Sequence, residues 1–364
     1  MSSLFSPYAL KGVTLRNRIV VSPMCQYMAE VGHLSDWHQS HYASLARGGA
    51  GLVIVEATAV SPEGRITPGD VGLWSDSHIA GLAEVAKAIM DAGAVAGIQI
   101  GHAGRKAGCT PPWEGGAPLD RNDPRAWQPV APSALPFMPA NLHMPREMSL
   151  EDIRRTQQHF MDAAARALQA GFQWLELHFA HGFLAQNFLS ALTNARDDQY
   201  GGSLENRARF LIETVAAVRE VWPKSLPLTA RLGVVEFNGR KDETLAESVQ
   251  VLKWLKDAGL DLVDVGLALS TADEQVPWGP NFLVPYARQI RAQTGLPVAT
   301  SWQITSASEA DALIREGQLD LALFGRTLLA NPHWPFQAAR DLKVEQAASV
   351  LPTPYAFWLQ SWAG

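Results

Sequence analysis

Eight short apolar runs recur along the chain, and longer amphipathic stretches separate them. Near-continuous hydrophobicity is typical of strands that are buried on both faces of a parallel sheet. Eight strand–helix units without a visible second domain predict an α/β fold, a single (β/α)8 TIM barrel over residues 1–364, with a doubly wound sheet as the alternative. The runs are Arg18–Met24, Gly51–Thr58, Val95–Gly101, Trp174–Phe179, Leu228–Leu232, Leu262–Leu267, Pro297–Ser301 and Leu321–Phe324.

The stretches between the runs carry the start and stop signals of helices. Ser149 is followed three residues later by Asp152, which is a capping-box pattern, and Gly171 is the expected end of that helix. Glycine suits a helix end because it adopts the left-handed conformation without a steric penalty. The same ending is expected before three other strands, at Gly93, Gly259 and Gly317.

Two segments lie outside this regular pattern. Residues 107–148 follow the third run and hold nine of the 23 prolines. We expect a long excursion, with a hairpin, that borders the site at the end of the barrel. The aromatic tail Pro352–Trp362 is expected to pack on its own barrel mouth or on a partner subunit.

Composition excludes several classes of function. The net charge of −6 and the pI of about 5.9 argue against a general nucleic-acid-binding surface. The only two cysteines, Cys25 and Cys109, favour a reducing compartment. No signal peptide is visible, and the longest apolar run is interrupted by Glu56 and is too short to span a bilayer. We therefore expect a cytoplasmic protein with no membrane or nucleic-acid partner.

Chemically capable side chains lie where the runs end, which is the face on which barrels carry their active sites. Each of these side chains is also consistent with a purely structural role, and these alternatives remain open. Arg231 is also consistent with a structural ion pair, Gln99 with a satisfied core amide and Cys25 with a small buried hydrophobe. The residues at these ends are Ser22, Pro23, Met24, Cys25, Tyr27, Ala57, Gln99, His178, His181, Arg231, Trp302, Gly325 and Arg326.

His178 and His181 are three residues apart, so a metal is the first possibility to weigh. A catalytic zinc needs about three protein ligands, and the chain has no His-x-His pattern with acidic residues beside it. We expect no metal. A packed core histidine is the structural alternative. The remaining interpretation is a pair of imidazole donors that faces a carbonyl or nitro oxygen of a substrate, where negative charge develops.

The nucleotide motifs point to a phosphate rather than to a dinucleotide fold. No G-x-G-x-x-G follows a strand, and no P-loop is present. Ser301–Ser306 and the Gly325–Arg326 pair follow the last two runs, and loops at these positions of a barrel commonly hold a phosphate with backbone N–H groups. A phosphate there implies a cofactor that reaches across the barrel mouth.

Six motifs in order resemble one family. They are Ser22–Tyr27, Glu56–Arg65, Ile98–Ala107, the H-x-x-H-G at His178, Tyr200–Arg207 and Phe324–Arg326. Together they look like the Old Yellow Enzyme family of flavin-dependent ene-reductases, and within it the thermophilic-like branch. The likeness runs from about residue 3 to the aromatic tail.

The resemblance implies non-covalent FMN, with NADPH or NADH as hydride donor and small electrophilic alkenes or nitro compounds as substrates. It also implies a homodimer or homotetramer. The residues that match flavin contacts are Ser22, Pro23, Met24, Cys25, Ala57, Gln99, Arg231, Trp302, Gly325 and Arg326. Those that match substrate or catalytic positions are Tyr27, His178, His181, Trp302 and Trp358, and Cys25 is expected to tune the flavin.

One departure from the family pattern bears on catalysis. The family places a tyrosine, the proton donor, two residues after the second histidine, and this chain has Phe183 there. A phenyl ring cannot donate that proton, so we expect a slowed protonation step. Gln303 also stands where relatives have glycine, a change we expect to be minor. The alternatives are a flavin-binding barrel with little reductase activity and a non-redox barrel enzyme that takes a phosphorylated substrate.

Overall fold

A closed barrel of eight parallel strands forms the centre of the protein, as seen in a computed structural model that describes residues 2–137 and 144–362. Each apolar run contributes one of these strands, so the predicted TIM barrel is confirmed and the doubly wound alternative is wrong. The strands are β1 (Tyr8–Leu10), β2 (Val13–Leu15), β3 (Ile19–Val21), β4 (Leu52–Ala59), β5 (Val95–Gly101), β6 (Val130–Ala131), β7 (Arg146–Glu147), β8 (Trp174–Phe179), β9 (Leu228–Val235), β10 (Leu262–Leu267), β11 (Val298–Thr300) and β12 (Leu321–Phe324).

The barrel closes where β12 pairs with β3, and its strand order is β3-β4-β5-β8-β9-β10-β11-β12. Helices connect and surround these strands, which buries both faces of the sheet. The helices are α1 (Asp36–Arg47), α2 (Ile79–Asp91), α3 (Leu150–Gln169), α4 (Leu184–Leu189), α5 (Leu204–Val221), α6 (Lys241–Asp257), α7 (Val284–Thr294), α8 (Ala307–Arg315), α9 (Arg326–Ala330), α10 (Trp334–Asp341) and α11 (Thr353–Leu359). None of the described helices is both long and apolar enough to cross a bilayer.

An antiparallel hairpin of β1 and β2 precedes the barrel. Its side chains Tyr8, Val13 and Leu15 share an apolar cluster with strand residues that include Ile54 and Trp174. This packing fills one end of the barrel with hydrophobic side chains. The polar residues at the carboxyl ends of the strands are thereby left to form the other end.

The helix signals are confirmed. Ser149 Oγ accepts the N–H of Asp152 at 3.1 Å, and the Asp152 carboxylate accepts the N–H of Ser149 at 3.0 Å, which completes a capping box at the start of α3. The helix reaches Gln169, and Gly171 follows it with a φ of +90°. The other three expected glycines also have positive φ values, at Gly93, Gly259 and Gly317.

The excursion after β5 contains a hairpin-like turn, in which Cys109 and Pro118 form an antiparallel bridge and the Thr110 N–H donates to the Ala117 carbonyl oxygen at 2.8 Å. Its two short strands, β6 and β7, are a separate feature: they pair in parallel, with Val130 beside Arg146. Residues 138–143 of the excursion lie outside the described part of the chain.

Candidate active site

Three neighbouring strands place His178, Arg231 and Asp264 side by side in the barrel. In the sheet register, Arg231 on β9 lies beside His178 on β8 and beside Asp264 on β10. Arg231 Nε donates to Asp264 Oδ2 at 2.5 Å, and its second terminal nitrogen donates to Ser22 Oγ at 2.9 Å. Ser22 follows β3, which lies across the barrel from β9, so one buried guanidinium connects opposite walls.

Two further polar residues, Gln99 and Glu176, lie on β5 and β8. They are register partners, and Gln99 Nε2 donates to Glu176 Oε1 at 2.8 Å. The pKa of Glu176 is raised to about 8, chiefly by burial and then by the Asp264 carboxylate, while Arg231 and the Gln99 hydrogen bond act in the opposite direction. Burial also raises the pKa of Asp264. Glu176 therefore keeps its proton at neutral pH, while Asp264 serves as the ionic partner of Arg231.

The two histidines are neutral donors. Burial lowers the pKa of both rings well below the usual value, and the positive charges of Arg231 and Lys106 lower it further. His178 Nδ1 accepts the Ala180 N–H at 3.3 Å, which places the ring proton on Nε2. Nε2 of His181 is buried, and no partner for it exists among the described residues. The ring centroids are 5.0 Å apart, so the pair can hold one acceptor atom between them.

Aromatic rings form a wall around the histidines. The Phe183 ring lies edge-on to His178 with centroids 4.8 Å apart, and Trp302 lies edge-on to His181 at 6.0 Å. Trp278 supports Trp302 from behind at 5.2 Å. The wall restricts access of water to the neutral imidazoles, which strengthens any hydrogen bond that they donate.

A cavity of about 190 Å³ lies on the other side of Phe183. Tyr27 and Lys106 line it together with Cys109 and Phe137, which come from the excursion at residues 107–148. The excursion thus borders the candidate site, at the position that the sequence indicates. Tyr27 has a left-handed φ of +53°, a strained backbone conformation for a large side chain.

A buried carboxyl group holds the loop that carries Cys25 and Tyr27. Glu56 accepts the Gln26 N–H at 2.7 Å and the Tyr42 hydroxyl at 2.8 Å. Burial raises the pKa of the Cys25 thiol well above its usual range, and the carboxyl groups of Asp70 and Glu56 raise it further. Cys25 is therefore a thiol rather than a thiolate nucleophile, in line with the role that the resemblance implies.

The two loops expected to bind a phosphate come together after β11 and β12. Trp302 and Gln303 have φ values of +70° and +59°, so both are left-handed. A non-glycine residue in that region of backbone conformation costs about 1–3 kcal/mol of stability. The glutamine at position 303, where relatives have glycine, therefore has a larger cost than the sequence analysis expects. In the described chain, the N–H of Gln303 has no backbone acceptor. Arg326 is exposed nearby and forms no ion pair with a described residue.

Of the remaining residues that the sequence predicts for the site, three lie near it and one does not. Ala57 lies in a narrow space beside His178 and Phe183, and Pro23 follows Ser22 in the loop after β3. Met24 lies near the phosphate loop, since a Cβ on Gly325 would be 3.3 Å from its sulfur. Trp358, by contrast, is 76% exposed on α11, and its ring contact is with Phe357 at 5.1 Å. Within one chain the structure does not bring Trp358 to the histidines.

Sequence reasoning missed four polar residues of this region. They are Glu56, Glu176 and Asp264 inside barrel strands, and Lys106, whose ammonium donates to the carbonyl oxygen of His181 at 2.7 Å. The three acidic residues could have been recognised from the sequence, because a carboxyl group within an apolar strand must be protonated or paired. Lys106 lies in a short 3-10 helix, Gly104–Lys106, within the motif Ile98–Ala107, and its contact with His181 depends on the fold rather than on a local pattern.

Unpaired polar atoms mark the position of a ligand. In the part of the chain that the structure describes, His181 Nε2, Trp302 Nε1 and Asp264 Oδ1 are buried without a partner. Buried polar atoms normally form hydrogen bonds, so these three indicate a ligand with polar edges. Among the same residues, no group of three or more His, Cys, Asp or Glu side chains is placed to hold a metal ion. The fold and the site together define a cofactor-dependent enzyme of the TIM-barrel class.

Comparisons with known proteins identify the family. Residues 3–345 match the model of the NADH:flavin oxidoreductase / NADH oxidase family. An NADPH dehydrogenase of Geobacillus thermodenitrificans is 43% identical over 349 residues, which cover 95% of this chain and 96% of the relative. The chain belongs to the NADH:flavin oxidoreductase / NADH oxidase family. It is an NAD(P)H-dependent flavin oxidoreductase whose cofactors are FMN and NAD(P)H.

Solved structures agree with this assignment. Morphinone reductase in complex with tetrahydroNAD superposes with a TM-score of 0.78 and 30% identity, over 94% of this chain and 91% of that one. A 2-naphthoyl-CoA reductase complex superposes with a TM-score of 0.82 and 27% identity over 93% of this chain. The chain spans only about half, 52%, of the length of that reductase.

The residues of the mouth fit an FMN group. A flavin has apolar ring faces and a polar edge, and the polar edge is matched by buried polar side chains on neighbouring barrel strands, with Asp264 Oδ1 left without a partner among the described residues. Its phosphate matches the free N–H of Gln303 and the unpaired charge of Arg326. The donor set and the shape of the site therefore agree with the cofactor that defines the family.

Asp264→Asn should destabilise the protein, because it leaves the buried Arg231 guanidinium without its ionic partner. Removing one member of a buried pair costs about 3–5 kcal/mol, and we expect a loss in the free energy of unfolding near the lower value, since Glu176 can ionise in its place. Urea denaturation at a fixed FMN concentration measures this loss. The exposed Asp242→Asn is the matched control and should leave stability unchanged. Equal stabilities of the two variants would show that Arg231 does not depend on Asp264.

Proposed function

We propose that this protein reduces the activated C=C bond of small α,β-unsaturated carbonyl or nitro compounds, with NADPH or NADH as the source of hydride. One observation carries the proposal: two neutral imidazoles lie 5.0 Å apart beside an aromatic wall, and His181 Nε2 has no partner among the described residues. Such a pair suits an oxygen on which negative charge develops during reaction. The NADPH dehydrogenase relatives support the nicotinamide donor.

FMN supplies the hydride-transfer chemistry when it is bound. We propose that Ser22, Gln99 and Arg231 contact its polar ring edge, where the Arg231 charge stabilises an anionic ring. The remaining contacts come from the loop after β3 and from the phosphate loops. The residues that we propose to hold it are Ser22, Pro23, Met24, Cys25, Ala57, Gln99, Arg231, Trp302, Gly325 and Arg326.

The protein's own groups bind and orient the substrate. His178 and His181 donate hydrogen bonds to its carbonyl or nitro oxygen, and they cost no charge desolvation because both rings are neutral. Trp302 and Phe183 confine the carbon skeleton between apolar rings, and Tyr27 closes the cavity side. The described residues show no separate domain for the nicotinamide, so NAD(P)H and the alkene are proposed to use one site in turn.

We also propose that the chain works as one domain in the reducing cytoplasm and as a homodimer or homotetramer. Phe357 and Trp358 are 61% and 76% exposed on α11, while Ala356 and Leu359 of the same helix pack against the protein. An apolar face of this kind favours burial against another chain. A second copy is the occupant that lets Trp358 reach a substrate site.

The two histidines are proposed to hold the substrate oxygen, and a substitution at His178 tests this role. His178→Ala removes one donor to the substrate oxygen, so it should weaken the binding of phenols and slow enone reduction by about 10²–10³-fold. Reduction of the flavin by NADPH should change less. Absorbance titration with a para-substituted phenol and stopped-flow kinetics measure the two effects. Unaltered phenol binding and turnover would return His178 to a structural role.

The second prediction concerns Phe183. Restoring the hydroxyl with Phe183→Tyr should accelerate enone reduction, because a positioned general acid contributes about 10²–10⁴-fold. Nitro-olefins should gain less, since the nitronate that they form needs a proton least. Stopped-flow measurement of 2-cyclohexenone reduction by the pre-reduced protein tests this, with the NADPH half-reaction as the internal control. An unchanged enone rate would show that proton transfer does not limit the reaction.

The third prediction concerns the tail. Sedimentation equilibrium should show a dimer or tetramer, and the Phe357→Ala/Trp358→Ala double variant should shift it towards monomer without loss of the fold. Leu150→Ala, at another exposed apolar residue, is the matched control and should leave the assembly intact. A wild-type chain that remains monomeric at all concentrations would contradict the proposal.

A further inference from the structure

The Lys106 side chain extends across the loop that joins the second histidine to Phe183. Its ammonium donates to the carbonyl oxygens of His181 at 2.7 Å and Leu269 at 2.9 Å. Gly182 has a φ of +68°, and a Cβ there would lie 2.3 Å from the Leu269 carbonyl oxygen and 2.8 Å from Nζ, so the loop packs closely against the lysine only with a glycine at this position. Lys106 is thereby fixed in position next to the catalytic loop.

The same ammonium also borders the cavity beside Phe183. Nζ lies 4.1 Å from the centre of the Phe137 ring and 6.0 Å from the centre of the Phe183 ring. An ammonium has three N–H donors, and two of them are used by the carbonyl oxygens. Lys106 and Phe183 both line the cavity of about 190 Å³, which is large enough to hold water molecules.

The charges around Lys106 make it an acid of suitable strength. The pKa of Lys106 is lowered to about 7, chiefly by burial and then by the neighbouring Arg105, while Glu274 and Cys109 act in the opposite direction. An acid is most effective when its pKa lies near the working pH. Tyr27 lines the same cavity but is a much weaker acid, because burial and the nearby Cys25 raise its pKa.

We propose that Lys106, acting through a water in this cavity, supplies the proton that Phe183 cannot donate to the substrate. The inference rests on the proposed function. NAD(P)H provides the hydride equivalent that reaches the β-carbon of the alkene. The water gives its proton to the α-carbon, the Lys106 ammonium returns a proton to the water, and the resulting amine takes a proton from solvent. Lys106 is thus a catalytic residue that replaces the family's tyrosine.

A double-mutant cycle tests the proposal. Lys106→Met, Phe183→Tyr and the combination are compared with the wild type in the reduction of 2-cyclohexenone by pre-reduced protein. We expect Lys106→Met to slow the wild-type reaction by at least about tenfold, but to slow the Phe183→Tyr variant by less than about threefold. The tyrosine makes the lysine dispensable only if both supply the same proton. Equal losses in the two backgrounds would indicate a structural role and overturn the proposal, as would no loss in the wild type.

Two further measurements separate the possible failures. Phenol binding to the oxidised protein should be unchanged in Lys106→Met. Unchanged binding would show that the loop of the two histidines is intact, whereas loss of phenol binding would count against the proposal. Tyr27→Phe tests the competing acid in the same two backgrounds. If Tyr27→Phe slows enone reduction more with Phe183 than with the Phe183→Tyr substitution, and Lys106→Met slows both equally, then Tyr27 is the acid and the proposal is wrong. If NADPH does not reduce the protein, or if the Phe183→Tyr variant does not reduce the enone, the proposed function itself fails.

Discussion

The structure depends on one buried positive charge. The Arg231 guanidinium lies inside the barrel, where an unpaired ion would cost far more than the net stability of a domain permits. Asp264 and Ser22 satisfy it from the adjacent strand and from the opposite wall. This requirement fixes the relative heights of β3, β9 and β10, and with them the height of His178, which lies beside Arg231 in the sheet register. The geometry of the histidine pair therefore follows from the pairing of a charge, not from contacts that the histidines make themselves.

A second polar anchor supports the opposite side of the mouth. Glu56 is fully buried, and it holds the Cys25–Tyr27 loop through the Gln26 N–H and the hydroxyl of Tyr42. Both anchors are buried charged or acidic side chains held by hydrogen bonds to other elements, which gives a rigid frame. In the described part of the chain, His181 Nε2 and Trp302 Nε1 are left without partners. Rigid surroundings with a few unpaired donors are what a preorganised binding site requires.

The sequence predicted the barrel well because buried parallel strands leave a local signal, a short apolar run, and each of the eight runs contained a strand. Strand polarity alone decides which end of a barrel carries the site, and His178 and His181 lie at the carboxyl end of β8, whereas Arg231 lies in the middle of β9. Partnerships across strands were not predictable. In the sequence, Asp264 is a single acidic residue within the apolar run LVDVGL. Its pairing with Arg231 depends on the register between β9 and β10, which no local pattern encodes. The parallel β6–β7 pair, the exposed Trp358 and the position of Lys106 depend in the same way on long-range packing.

The cavity beside Phe183 has walls of two different origins. Tyr27, Lys106 and Phe183 come from the barrel rim, whereas Cys109 and Phe137 come from the proline-rich excursion, whose two strands pair with each other. A substitution at Cys109 or Phe137 can therefore reshape the cavity while the Arg231–Asp264 pair stays intact. The shape of this cavity and the charge-paired frame are encoded on separate stretches of the chain, so evolution can vary the one and keep the other.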